Sequence, residues 1–194
     1  MKNTIRNKFA RLAGSAIAAF VLMGSAFTAD AAAYIKIGDI KGEAADTDHK
    51  EWIDILSVSQ SITRGEGLTG QSRRRGDVVL GDIVCVKELD KSSPKLAEAV
   101  CTGAIIPSIE IELTRPVPNA DGTTGRVVYL RYELKNVMIT SYSVNGSAQG
   151  EDVPMEDFSL NFEEIKVTYT EQDKDTGQAK GNVEYSWKVE EGEK

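Results

Sequence analysis

The stretch from Glu151 to Val189, EDVPMEDFSLNFEEIKVTYTEQDKDTGQAKGNVEYSWKV, constrains the fold most, because apolar residues recur at every second position on both sides of a turn. Alternation with period two gives a segment one dry and one wet face as a strand, a pattern that a helix does not satisfy. Phe158, Leu160 and Phe162 hold one phase and Ile165, Val167 and Tyr169 the other, so a β-bulge is expected at Glu163-Glu164. Asp173 to Gly177, DKDTG, supplies turn chemistry, and Val183, Tyr185, Trp187 and Val189 resume the alternation on a return strand. The pattern predicts a hairpin.

The same reasoning reads most of the remaining chain as strands. Tyr34 to Ile37 opens a short one, Glu43 to Lys50 is a polar connection, and Trp52 to Ile62 and Asp77 to Leu89 follow as further strands. Ile109, Ile111 and Leu113 alternate with Glu110, Glu112 and Thr114; Val128, Leu130, Tyr132 and Leu134 alternate with Tyr129, Arg131, Glu133 and Lys135. PNADGTTG, from Pro118 to Gly125, is a turn-rich connection between them. Val137 to Val144 forms one more strand, and Asn145 to Gly150 is a loose Gly/Ser segment. One helix is predicted: Ser92 or Ser93 as N-cap, Pro94 in the first turn, Leu96, Ala97 and Val100 as the apolar stripe, Gly103 past the end.

The terminal hairpin, ELDKSSPKLAEAVCTG from Glu88 to Gly103 and YIKIGDIKGEA from Tyr34 to Ala44 together resemble the Hcp (haemolysin-coregulated protein) family, the tube proteins of bacterial type VI secretion. The resemblance runs from Tyr34 to Val189, with the segments in family order. It implies a mainly β fold, an antiparallel β-barrel with one short flanking α-helix. It also implies a homohexameric ring, stacking of rings into a hollow tube, and a spike protein, a contractile sheath and effector cargo as partners. No catalysis is implied.

The first residues depart from that family pattern. Lys2, Arg6, Lys8 and Arg11 form a basic start, Ala13 to Phe27 is apolar, and Ala29-Asp30-Ala31 fits a small-x-small cleavage site. Residues 1–31 therefore read as a secretory signal peptide and residues 32–194 as a single barrel domain. A membrane anchor is the rival reading, against which the apolar run is short of the ~20 residues a spanning helix needs. A cleaved leader sends the chain to the periplasm or the outside, which leaves two functions open: a tube component, or an exported binding or carrier module apart from any contractile machine.

Cleavage leaves 19 basic against 29 acidic residues, a net charge of −10. That balance argues against nucleic-acid binding and against an anionic-membrane partner. The exception is TRGEGLTGQSRRRGD, Thr63 to Asp77, where Gly65, Gly67 and Gly70 precede Arg73, Arg74 and Arg75. By the resemblance this is the projecting ring-stacking loop, and a basic tip meeting an acidic face would make stacking salt-sensitive; a solvated charge cluster is the alternative. Arg75-Gly76-Asp77 also spells an integrin-type tripeptide, a three-residue match of low specificity.

Wet strand faces such as that of Glu110 and Glu112 fit either a water-filled lumen or a plain exterior. Barrel closure would remove most free edges, and ring contacts would cover the rest. Cys85 and Cys101 are the only cysteines. In an oxidising compartment they are expected to pair, closing a loop of about 16 residues for roughly 3 kcal/mol; two buried thiols are the alternative. His49, the single histidine, lies in the hydrophilic ADTDHKEW and reads as a surface residue with no nucleophile nearby. Asp46, Asp48 and Glu51, or Asp173 and Asp175, complete no calcium-loop spacing. No catalytic, metal or cofactor site is expected.

Overall fold

The computed structural model describes residues 32–65, 78–118, 124–146, 153–173 and 176–189. In chain order the elements are β1 (Ala32–Ile37), β2 (Ile53–Ile55), β3 (Ser57–Ser59), β4 (Ile62–Arg64), β5 (Val78–Leu80), β6 (Ile83–Glu88), α1 (Ser93–Thr102), β7 (Ile105–Pro118), β8 (Thr124–Asn145), β9 (Met155–Asn161), β10 (Glu164–Gln172) and β11 (Ala179–Lys188). Nine strands form one sheet in the order β2-β1-β7-β8-β9-β6-β3, with β10 on β8 and β11 on β10; β4 and β5 make a separate ribbon.

No continuous ladder closes this sheet among the described residues, which modifies the expected barrel. Instead, the two ends of the strand order are consecutive in the chain, with Leu56 alone between β2 and β3. The chain leaves its pairing with β1 at Ile55 and meets β6 at Ser57, and the Leu56 N–H donates to the Val86 carbonyl at 2.8 Å. A strand that turns a corner and serves both ends wraps the sheet around its apolar face. Ile35, Ile37, Ile53, Ile83, Leu96, Ile111, Val137, Phe158 and Leu160 are among the residues enclosed there.

Corners also explain the other departures from simple alternation. The expected strand Trp52 to Ile62 is divided into β2, β3 and the start of β4, and Asp77 to Leu89 into β5 and β6. At the second division Gly81 passes so close to Ser61 that a Cβ would lie 2.4 Å from its Oγ. The phase shift at Glu163-Glu164 is a break between β9 and β10 rather than a bulge. It lies opposite Asn136, whose φ of 49° bends β8 so that its first half pairs with β10 and its second half with β9. Val137 to Val144 is accordingly the second half of β8 and not a separate strand.

The helix forms where its end signals place it. Gly103 takes the left-handed conformation (φ 63°) at the C-cap, which a residue without Cβ adopts cheaply. Leu96 and Ala99, three apart, are the buried stripe, with Val100 beside them; Ala97 is only half-buried. Neither serine caps the helix through its side chain as expected. Ser92 makes no such bond, and Asp90 accepts from the Ser92 N–H at 2.8 Å and from the Ser92 hydroxyl.

Candidate functional site

Strand register carries apolar residues in rows across five strands. One row runs Ile37, Ile109, Leu134, Ile165, Trp187; the next Ile35, Ile111, Tyr132, Val167, Tyr185; the third Ala33, Leu113, Leu130, Tyr169, Val183. The first two begin inside the molecule, the third half-buried, and all three end nearer to solvent. Ile35 and Ile37 are wholly buried, whereas Tyr169 is 42% and Val183 71% exposed. Ile62, Val78 and Leu80 of the ribbon face Tyr185 and Trp187 across a cavity of about 410 Å³.

The opposite face of the same strands is polar and carries ion pairs, while Glu110 and Glu133 stand opposite each other as like charges. Lys135 Nζ lies 2.7 Å from Glu164 and Lys166 Nζ 3.0 Å from Glu184. The Lys135 contact lowers the Glu164 carboxyl below its usual range and raises the lysine. Surface pairs of this kind contribute little stability. Their consequence is a charged, hydrated wall.

Among the described residues, two ionic clusters lie inside the molecule. Lys87, fully buried on β6, donates to Glu156 of β9 at 2.6 Å, to Asp90 at 2.8 Å and to the Glu88 carbonyl at 2.7 Å. Ser93 donates to the same Glu156 oxygen at 3.0 Å, and the Tyr142 hydroxyl donates to the other at 2.6 Å. Burial and the Glu156 charge push the tyrosine up to about 12. The cluster ties the start of α1 to β6, β8 and β9.

The second cluster centres on His49, which is buried and not a surface residue as expected. Its Nδ1 lies 2.8 Å from Asp46 and its Nε2 2.8 Å from Glu112 of β7. Tyr34 stacks on the ring at 4.0 Å between centroids, and Trp52 meets it edge-on at 5.0 Å. Arg131 Nε donates to the other Glu112 oxygen at 2.6 Å. Glu112 thus leaves the wet face assigned to it with Glu110: it is buried, and Glu110 is half-buried.

Cys85 and Cys101 are both free thiols, so the expected bond is not formed here. Cys85 lies inside the sheet, opposite Val58 and Phe158, and burial pushes its thiol up to about 12; Cys101 is exposed on α1. Cys85 therefore packs as a small apolar residue. Gly65 is exposed just after β4. Gly67, Gly70, Arg73, Arg74 and Arg75, the Arg75-Gly76-Asp77 tripeptide, the Ala29 to Ala31 cleavage site and Asp175 lie outside the described residues. Asp46 serves His49, and no group of three or more metal-ligating side chains occurs among the described residues.

A curled antiparallel sheet with a pinned helix and an apolar hairpin face left partly uncovered defines a β-scaffold suited to packing against another surface. The chain belongs to the family described as the type VI secretion system effector Hcp, whose model matches residues 34–169. It is similar to Protein hcp1 of Pseudomonas aeruginosa, 34% identical over 157 residues that cover 80% of this chain and 93% of the relative. A solved type six secretion system protein superposes with a TM-score of 0.73 at 25% identity, covering 84% of this chain and 98% of the other. Hcp1 of Salmonella typhimurium shares the fold, with a TM-score of 0.65 at 22% identity and the same coverages.

Proposed function

We propose that the mature chain is a structural component of type VI secretion that closes with five further copies into a ring, and that rings stack into a tube. The observation that carries this reading is the course of the apolar rows: they leave the core at β10 and β11 and continue to Tyr169, Val183 and Tyr185, where a neighbouring copy would extend the buried surface. The charged, polar reverse face suits a hydrated passage for effector cargo. Spike and sheath are the partners that family membership brings with it, and the glycine-arginine segment is the proposed stacking contact.

Residues 1–31 are proposed to be a cleaved leader, so that the mature protein reaches the periplasm or the outside. That leader also favours a second reading, an exported carrier module that keeps the fold and the ring without the contractile machine. Replacing Val183 and Tyr185 by Lys tests the interface common to both. Sedimentation is expected to show a monomer with an unchanged circular-dichroism spectrum; wild-type-sized particles from the double variant would contradict the assignment of this face.

A further inference from the structure

We propose that the chain is cut only before it folds: once β1 enters the sheet, the bond between Ala31 and Ala32 is closed to a leader-removing endopeptidase. This rests on the reading of residues 1–31 as a leader and adds the order of events. Its basis is the place where the strand begins. β1 starts at Ala32, so no spacer separates the Ala29-Asp30-Ala31 cleavage motif from the sheet.

The residues that follow the bond are engaged from the first. Ala32 lies opposite Thr114 of β7, and the Thr114 hydroxyl donates to the Ala32 carbonyl at 3.0 Å. Ala33 has Leu113 on one side and Ile55 on the other, Tyr34 has Glu112 and Asp54, and Ile35 has Ile111 and Ile53. Tyr34 is 2% exposed; it stacks on the His49 ring at 4.0 Å, and its hydroxyl accepts from Arg126 at 2.6 Å. Ile35 and Ile37 lie in the core.

An endopeptidase takes its substrate as an extended segment and pairs with backbone groups on both sides of the bond it cuts. On the Ala32 side those groups already serve β2 and β7. Nor can β7 move aside, because β8 pairs with its other edge from Ile105 to Pro118. Freeing Ala32 and Ala33 breaks their ladders, and continuing to Tyr34 pulls a buried ring out of its stack. Cleavage of the folded chain is therefore limited by the population of that opening.

The test gives purified bacterial signal peptidase the full chain, Met1 to Lys194, and reads the products by intact mass. The unfolded reference in the same buffer is Ile111→Asp with Phe158→Asp, two charges placed in the core and checked by circular dichroism. The reference is expected to yield a product starting at Ala32, and the folded chain to be cut at least severalfold more slowly. A short Gly/Ser spacer inserted between Ala31 and Ala32 is expected to make the folded chain as cleavable as the reference. Equal cutting of folded chain and reference, or a folded spacer variant that stays resistant while the reference is cut, would overturn the proposal. If the peptidase cuts none of them, the leader reading fails, and elastase, which cuts after alanine, decides the closure by itself. Cuts after Ala32 and Ala33 are expected in the reference alone; the same cuts in the folded chain would show that the strand does not protect this end.

Discussion

Lys87 and Glu156 show how a single charged pair fixes an element. Both are almost wholly buried, and the lysine's remaining bonds go to Asp90, the Glu88 carbonyl and the Ser93 hydroxyl, at the turn that begins α1. Lys87→Met leaves Glu156 buried without its cation, a change that typically costs about 3–5 kcal/mol. Urea unfolding should show that loss, and Lys87→Met combined with Glu156→Gln should lose less than the two single variants summed. Asp90 and Asp46 add an acid limb. Burial raises both, but hydrogen bonds outweigh it, from Lys87 and Ser92 in one case and from His49 and Asp48 in the other. A carboxyl lowered by folding contributes stability above its unfolded value, near pH ~3.9, and that stability is lost as pH falls through the lower folded value. The urea midpoint is therefore expected to fall on acidification into that range, and Asp90→Asn should flatten the fall. Asp90 and Asp46 lie three residues from their partners, but the burial of those partners was not legible locally: His49 meets Glu112 across 63 residues and Lys87 meets Glu156 across 69.

Elements were legible where the pattern is local and broke where the sheet turns. The hairpin of β10 and β11 has the pairing that alternation requires, Ile165 with Trp187, Val167 with Tyr185 and Tyr169 with Val183. Gly103 ends α1 as its position predicts. The corners at Leu56, Gly81 and Asn136 were hidden, since a bent strand and a straight one share the same alternation until a partner strand is known. The candidate interface was half legible: the sequence shows which hairpin residues are apolar, and only the register shows that β11 lies beyond the cover of the core. At Gly42 an added Cβ would lie 2.2 Å from the Trp52 carbonyl oxygen and 2.5 Å from the Ile53 Cα, both backbone atoms that do not yield easily. Gly42→Ala is expected to displace the loop that carries His49 and to raise tryptic nicking at Lys50 at neutral pH. An unchanged cleavage rate would place the loop's anchor elsewhere.

At the scale of the whole molecule, the fold and the family are fixed by the matched residues and the superposed relatives, while assembly and export are the account's own claims. A mature start at Ala32, read by intact mass of protein recovered from the producing cell, would support the leader; retained Met1 would remove it. If the basic segment mediates stacking, tubes should shorten into single rings as salt rises, because exposed charge pairs are screened over about 10 Å at 0.1 M. The most direct test of the central claim is electron microscopy of the purified mature protein at high concentration across a range of ionic strength. Annular particles of six copies are predicted, stacked at low salt and separate at high salt. A uniform population of monomers under every condition would contradict the account.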